Sequence, residues 1–142
     1  MVALVLDCSV AVAWCFEDEA TTELDGLLDQ VRHLGAVVPP LWISEVANVL
    51  LLAQRCGRLD RESMQERLVL LDMLPIETDQ MAVGTVWRSS VLTLADVETL
   101  TFYDATYLEL AIRRNLPLAS SDVALRRAAG RRGVVAVPVE PR

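Results

Sequence analysis

Lysine is absent from this 142-residue sequence; all 13 of its basic residues are arginine. That excludes phosphate-binding loops of the GxxxxGKS/T kind, which need a lysine on the phosphates. It also counts against receiver domains and haloacid-dehalogenase-like phosphatases, both of which pair an early strand-end Asp with a lysine. Histidine occurs once. His33 sits late in an amphipathic helical pattern with no partner, so neither His-based acid–base chemistry nor a Cys–His nucleophile has support. The three cysteines, Cys8, Cys15 and Cys56, are an odd number without metal-type spacing. They are expected to be free, mostly buried thiols of a cytoplasmic, reducing compartment. No apolar stretch approaches the ~18 residues of a membrane span, and the opening MVALVLD lacks the basic start of a secretory signal.

What is present is a globular balance of 53% hydrophobic and 23% charged residues, expected to form one domain over residues 1–142. The net charge of −7 looks wrong for a protein that handles a polyanion. A carboxylate cluster awaiting a cation would itself supply several of those negatives, and arginine suits bidentate phosphate contact. Net charge does not decide the matter.

Short apolar runs alternate with helical patterns. Strands are expected at Val2–Leu6, Ala36–Val38, Leu74–Ile76, Leu116–Ala119 and Val134–Val137. Helices are expected at Ser9–Phe16, up to Leu34 with Gly35 as cap, Leu41–Arg55, Asp60–Met73, Asp79–Leu94, Thr101–Arg114 and Asp122–Ala129. Ala95–Leu100 reads as a connection, and Gly130–Gly133 as a turn. Such alternation predicts an α/β fold, a mostly parallel sheet of short strands covered on both faces.

Four acids stand at the junctions. Asp7 follows the first strand, Glu45 lies in the first turn after the second, Asp104 opens the helix from Thr101, and Asp122 follows the strand ending at Ala119. The carboxyl ends of parallel strands line the ligand crevice of such sheets. Taken singly, each acid has a plain structural reading: Asp7 and Asp122 as helix N-caps, Asp104 in a capping box with Thr101, Glu45 as complement to a helix dipole. Gathered at one edge, however, they repel one another and call for protons or a cation. A hard divalent ion such as Mg²⁺ or Mn²⁺ suits oxygen ligands better than zinc does.

LVLDCSVAVAW, PLWISEVANVL and TFYDATYLELAIRRNLPLASSDVALRRAA resemble, in that order, the motifs of PIN-domain proteins, particularly VapC-type toxins. The likeness runs from Leu4 to Val137 and keeps the acids in the family's order. Ser120 takes the hydroxyl position where many relatives carry Thr. The resemblance implies a PIN-like three-layer α/β/α sandwich and a Mg²⁺-dependent endoribonuclease, with Mn²⁺ as a substitute. Asp7, Glu45, Asp104 and Asp122 would be its catalytic and metal-binding residues, Asp7 and Asp104 the most direct ligands. Ser9 and Ser120 would support the site or touch phosphate, and Asn48 would orient Glu45. The reaction expected is in-line attack by metal-activated water.

RNA grip is expected from a basic patch around Arg113, Arg114, Arg126, Arg127, Arg131 and Arg132, with Arg126 and Arg127 beside Asp122. Phe102, Tyr103 and Tyr107 are expected to pack in the core rather than stack on bases. The implied partners are RNA, a cognate VapB-like antitoxin and a second copy in a homodimer. The apolar helices Leu41–Ala53 and Leu59–Leu74 are greasy enough to want such cover. Two alternatives stand beside this: a PIN-domain RNA-processing nuclease without an antitoxin, and a catalytically inactive metal- or protein-binding module.

Overall fold

The computed structural model describes residues 1–81 and 84–139. Five parallel strands form its centre: β1 (Leu4–Leu6), β2 (Ala36–Val38), β3 (Ile76–Thr78), β4 (Leu118–Ala119) and β5 (Ala136–Val137), in the order β3-β2-β1-β4-β5. Register pairs Val5 with both Val37 and Leu118, so β1 is the middle of the sheet. Every residue of β1 and β2 is buried. That is why these strands read as continuous apolar runs rather than alternating ones.

Helices cover the faces: α1 (Cys8–Ala13), α2 (Thr22–Leu34), α3 (Leu41–Arg55), α4 (Arg61–Asp72), α5 (Leu92–Glu98), α6 (Phe102–Arg114) and α7 (Val123–Arg131). Their ends are set by local chemistry. The Thr21 and Asp60 side chains accept from the backbone N–H of Leu24 and Ser63, capping α2 and α4. Asn115, at φ 53°, turns the chain out of α6. Gly35 ends α2 at φ 82°, and a Cβ there would lie 2.8 Å from the Pro75 carbonyl oxygen. That carbonyl accepts from Ala36 N at 3.1 Å, so the glycine is needed where β2 meets the chain entering β3.

Four expectations need correction. The third strand begins at Ile76 instead of Leu74, since Pro75 has no N–H to give and contributes its carbonyl instead. Asp79 does not start a helix. It is buried, and its carboxylate takes two bonds from Arg113, at 3.0 and 2.7 Å. Part of the helix expected there, at positions 82 and 83, lies outside the described residues; further on, a widened π-type turn at Trp87–Val91 runs directly into α5. The supposed connection from Ala95 is therefore helical as far as Glu98, and Thr99 ends it in the left-handed region. The turn expected from Gly130 likewise starts later, because α7 continues to Arg131.

Chain order places the functional edge. From β1 the sheet grows outward through β2 and β3, then the chain returns to the other side for β4 and β5. The reversal falls between β1 and β4, and in open parallel sheets ligands bind beyond the carboxyl ends of the strands at such a point. Helix α6 leads directly back into β4, so its N-terminus lies at this same edge.

Candidate functional site

Asp7 directly follows β1, at the carboxyl end of the sheet where the strand order reverses. It occupies the N-cap position of α1, yet its side chain makes no capping bond. Instead Oδ2 accepts from the hydroxyls of Ser9 and Ser120, both at 2.7 Å. The same hydroxyl oxygens accept backbone N–H groups in turn, Ser9 from Ser121 at 3.0 Å and Ser120 from Asp122 at 3.1 Å. The Asp7 carboxylate is thus tied to the β4–α7 junction, 113 residues away in sequence for Ser120. An aspartate that merely capped a helix would have no use for this brace.

Glu45, on α3, is half-buried, and its Oε1 accepts from the Tyr107 hydroxyl at 2.5 Å. Asn48, expected to orient it, is exposed and makes no side-chain bond to it; that task falls to Tyr107, one helix over. Asp104 lies in the first turn of α6, where Thr101 Oγ1 accepts its backbone N–H at 3.1 Å. Its carboxylate is partly shielded from solvent. Asp122 caps α7, Oδ1 accepting from Leu125 N at 2.8 Å, and is otherwise exposed.

The electrostatics show that the four acids sense one another. Burial holds the Asp7 carboxyl above its usual range and the Asp122 charge adds to this, while the Ser120 and Ser9 hydroxyls and the Cys8 N–H pull it back. Burial raises Glu45 too, opposed by the Tyr107 bond and reinforced by the charges of Asp7 and Asp104. Asp104 is pushed up to about 6 by burial first, then by Asp122 and Asp7. Burial and the charges of Glu45 and Asp7 also push the Cys8 thiol up to about 12, so it stays a thiol and not a nucleophile.

Carboxylates that raise one another in this way are an all-oxygen donor set suited to a hard divalent cation. Among the described residues, no three of His, Cys, Asp or Glu stand close enough to form a ready coordination cage. The acids fit such an ion by their oxygen chemistry and mutual charge, and side-chain rotation would have to draw them in.

The expected basic patch is different in the structure. Arg113 is bound by Asp79 and Glu109, Arg114 lies 3.5 Å from Glu77, and Arg131 and Arg132 both reach Glu98 at 2.7 Å. Arg126 donates to the carbonyls of Ser120 and Pro138, at 2.8 and 2.6 Å. Arg127 alone of the six is exposed and without a protein partner among the described residues. The positive charge that the sequence clusters is thus largely neutralised by acids or committed to backbone.

The aromatic residues divide. Tyr107 is fully buried, whereas Phe102 and Tyr103 are 38% and 62% exposed beside Asp104. His33 is on an exposed helix face, its Nδ1 2.7 Å from the Asp29 carbonyl oxygen. Of the cysteines, all free, Cys8 and Cys15 are buried and Cys56 is exposed. No helix among the described residues is long and apolar enough to cross a membrane.

The sequence matches the PIN domain family over residues 4–131, and the chain belongs to that family. PIN domains are generally nucleases, and they usually work with divalent metal ions. Among solved structures the fold is similar to PAE2754 from Pyrobaculum aerophilum, with a TM-score of 0.69 and 26% identity, covering 96% of this chain and 91% of that one. No curated protein matches the sequence significantly.

Proposed function

We propose that this protein is a Mg²⁺-dependent endoribonuclease of the VapC toxin type, able to use Mn²⁺, and held in check by a cognate VapB-like antitoxin. The observation that carries the reading is Asp7: a strand-end carboxylate withheld from capping, pinned by two hydroxyls, and coupled by charge to Asp122, Glu45 and Asp104. Asp7 and Asp104 would hold the cation most directly, with Glu45 and Asp122 completing the set. When bound, the ion supplies Lewis acidity toward water and the phosphoryl oxygens.

The chain's own residues orient and grip. Ser9 and Ser120 fix the Asp7 carboxylate through one oxygen, and Tyr107 does the same for Glu45. Arg127 is the free cation nearest in sequence to Asp122, available to a backbone phosphate. Tyr103 and Phe102 offer exposed ring faces at the rim, where single-stranded bases can stack. No histidine is needed, since the acids arrange the charge.

A partner is supported by a groove of about 300 Å³ between α3, α4 and the edge strand β3, which none of the four acids lines. Trp42, Ile43, Leu68 and Leu71 line it, and the buried Trp42 Nε1 has no acceptor among the described residues. Ile43 on α3, Val69 on α4 and Met73 just past the end of α4 are 62%, 59% and 77% exposed. An antitoxin segment or a second copy would cover this surface.

The test is cleavage of a mixed RNA pool by purified protein in Mg²⁺ or Mn²⁺ and in EDTA, beside an Asp7→Asn control. Cutting that requires metal and disappears in the variant is the expected result. Cleavage that survives EDTA, or an Asp7→Asn protein as active as the parent, would overturn the reading.

A further inference from the structure

Tyr107 presents a phenol where packing alone would be served by phenylalanine. The residue is 0% exposed, midway along α6, and its ring belongs to the main core. A buried hydroxyl needs a partner, and leaving one unmade costs about 1–3 kcal/mol. The acceptor chosen is Glu45 Oε1, at 2.5 Å. Glu45 is a costly choice for a purely structural role, because the charges of Asp7 and Asp104 bear on the same carboxylate. The bond also divides that carboxylate: Oε1 is taken, and no described protein group donates to Oε2.

We infer that Tyr107 is a positioning residue that presents Glu45 to a divalent cation through Oε2 alone, and thereby favours small cations over Ca²⁺. This rests on the metal-dependent reading above. Small octahedral ions such as Mg²⁺ accept single oxygens at about 2.0–2.1 Å, whereas Ca²⁺ gathers six to eight oxygens and readily takes carboxylates two oxygens at a time. A glutamate whose second oxygen is tied to a fixed core hydroxyl is hindered from turning both oxygens onto one cation, because that rotation strains a charge-assisted bond. Because the ring is held on all sides, the hydroxyl stays where it is. The same helix carries Asp104 three residues earlier, so α6 supplies one acid and the clamp on another.

The experiment is cation binding to the full chain, with no RNA present. Mn²⁺ and Ca²⁺ are each titrated by calorimetry into metal-stripped wild type, Tyr107→Phe, Glu45→Gln and the double variant, with melting and near-ultraviolet circular dichroism as fold controls. The expected result for Tyr107→Phe is roughly tenfold weaker Mn²⁺ binding, the usual cost of losing an outer hydrogen-bond partner. Ca²⁺ binding should be unchanged or tighter, so the Mn²⁺:Ca²⁺ preference falls. In the Glu45→Gln background, Tyr107→Phe should add nothing. An unaltered Mn²⁺:Ca²⁺ ratio in Tyr107→Phe, or an equal loss with and without Glu45, overturns the inference and leaves the metal site standing. Failure of the wild type to bind either cation would remove both readings. Should Tyr107→Phe not fold, Glu45→Asp draws the carboxylate away from the hydroxyl while the phenol stays in place. The same fall in preference is expected there, and an unchanged ratio would count against the inference.

Discussion

Replacing Asp104 with asparagine should raise the stability of the metal-free protein at neutral pH while abolishing its nuclease activity. Burial and the charges of Asp122 and Asp7 push the Asp104 carboxyl from 3.8 to about 6. Below pH 3.8 the group is protonated in both folded and unfolded chains. Between the two values the folded protein still holds a proton that the unfolded chain has released. Stability therefore falls as pH rises from about 4 to about 6, and is level above. The whole gap is worth at most about 3 kcal/mol, and solvent screening at this half-open position brings it to about 1–2 kcal/mol. Against this, a first-turn carboxylate gains about 0.3–1 kcal/mol from the helix dipole. The net relief in Asp104→Asn is about 1 kcal/mol, a rise in Tm of roughly 3–4 °C for a domain of this size. The Thr101 cap survives, because it takes the backbone N–H of residue 104 and not the side chain. The assay is thermal unfolding in EDTA at pH 4 and pH 7.5. The variant should melt above wild type at pH 7.5, with the difference gone or reversed at pH 4. Added Mg²⁺ should close the gap by stabilising wild type more than the variant. A variant that is well folded but melts at or below wild type at pH 7.5 in EDTA would refute the claim that the acids strain one another.

Ser120→Ala removes one of the two hydroxyls on Asp7 and the acceptor for Asp122 N; Mn²⁺ affinity measured by calorimetry should drop roughly tenfold. Arg127→Ala should lower by about one the slope of log affinity for RNA against log salt. Arg126→Ala should instead lower Tm with little change in that slope, because its guanidinium holds the Ser120 and Pro138 carbonyls. The reverse pattern in binding curves would restore Arg126 as a phosphate contact. Arg113→Met takes from Asp79 and Glu109 the guanidinium they share, which should cost about 3 kcal/mol in urea unfolding.

Elements whose cause is local were legible in the sequence. Ala36–Val38 and Leu41–Arg55 are found where their apolar patterns place them, and Asp60, Thr101 and Asp122 each cap the helix that follows. Strand ends were less legible. Val2, Ala3, Leu116 and Pro117 are apolar enough to belong to strands, yet only Leu4–Leu6 and Leu118–Ala119 are paired as such. Apolarity records burial, and the length of a two- or three-residue ladder depends on its neighbours.

The misreadings share a different cause, which is pairing at long range. Asp79 after a strand has the local look of an N-cap, and nothing nearby in sequence reveals that Arg113, 34 residues on, will claim it. The arginines at 131 and 132 read as a cationic patch because Glu98, which binds both, lies on another helix. Tyr107 reads as core filling, which its ring is; its hydroxyl matters only because the fold brings Glu45 of α3 within its reach. The four acids follow the opposite logic. Their positions at strand ends and helix starts are local features, and the parallel sheet brings them near enough for their charges to act on one another. Sequence therefore exposes the residues that end elements more readily than a brace such as Tyr107, whereas the family resemblance already marked Ser120; these two braces are where mutation will best separate a working site from a merely folded one.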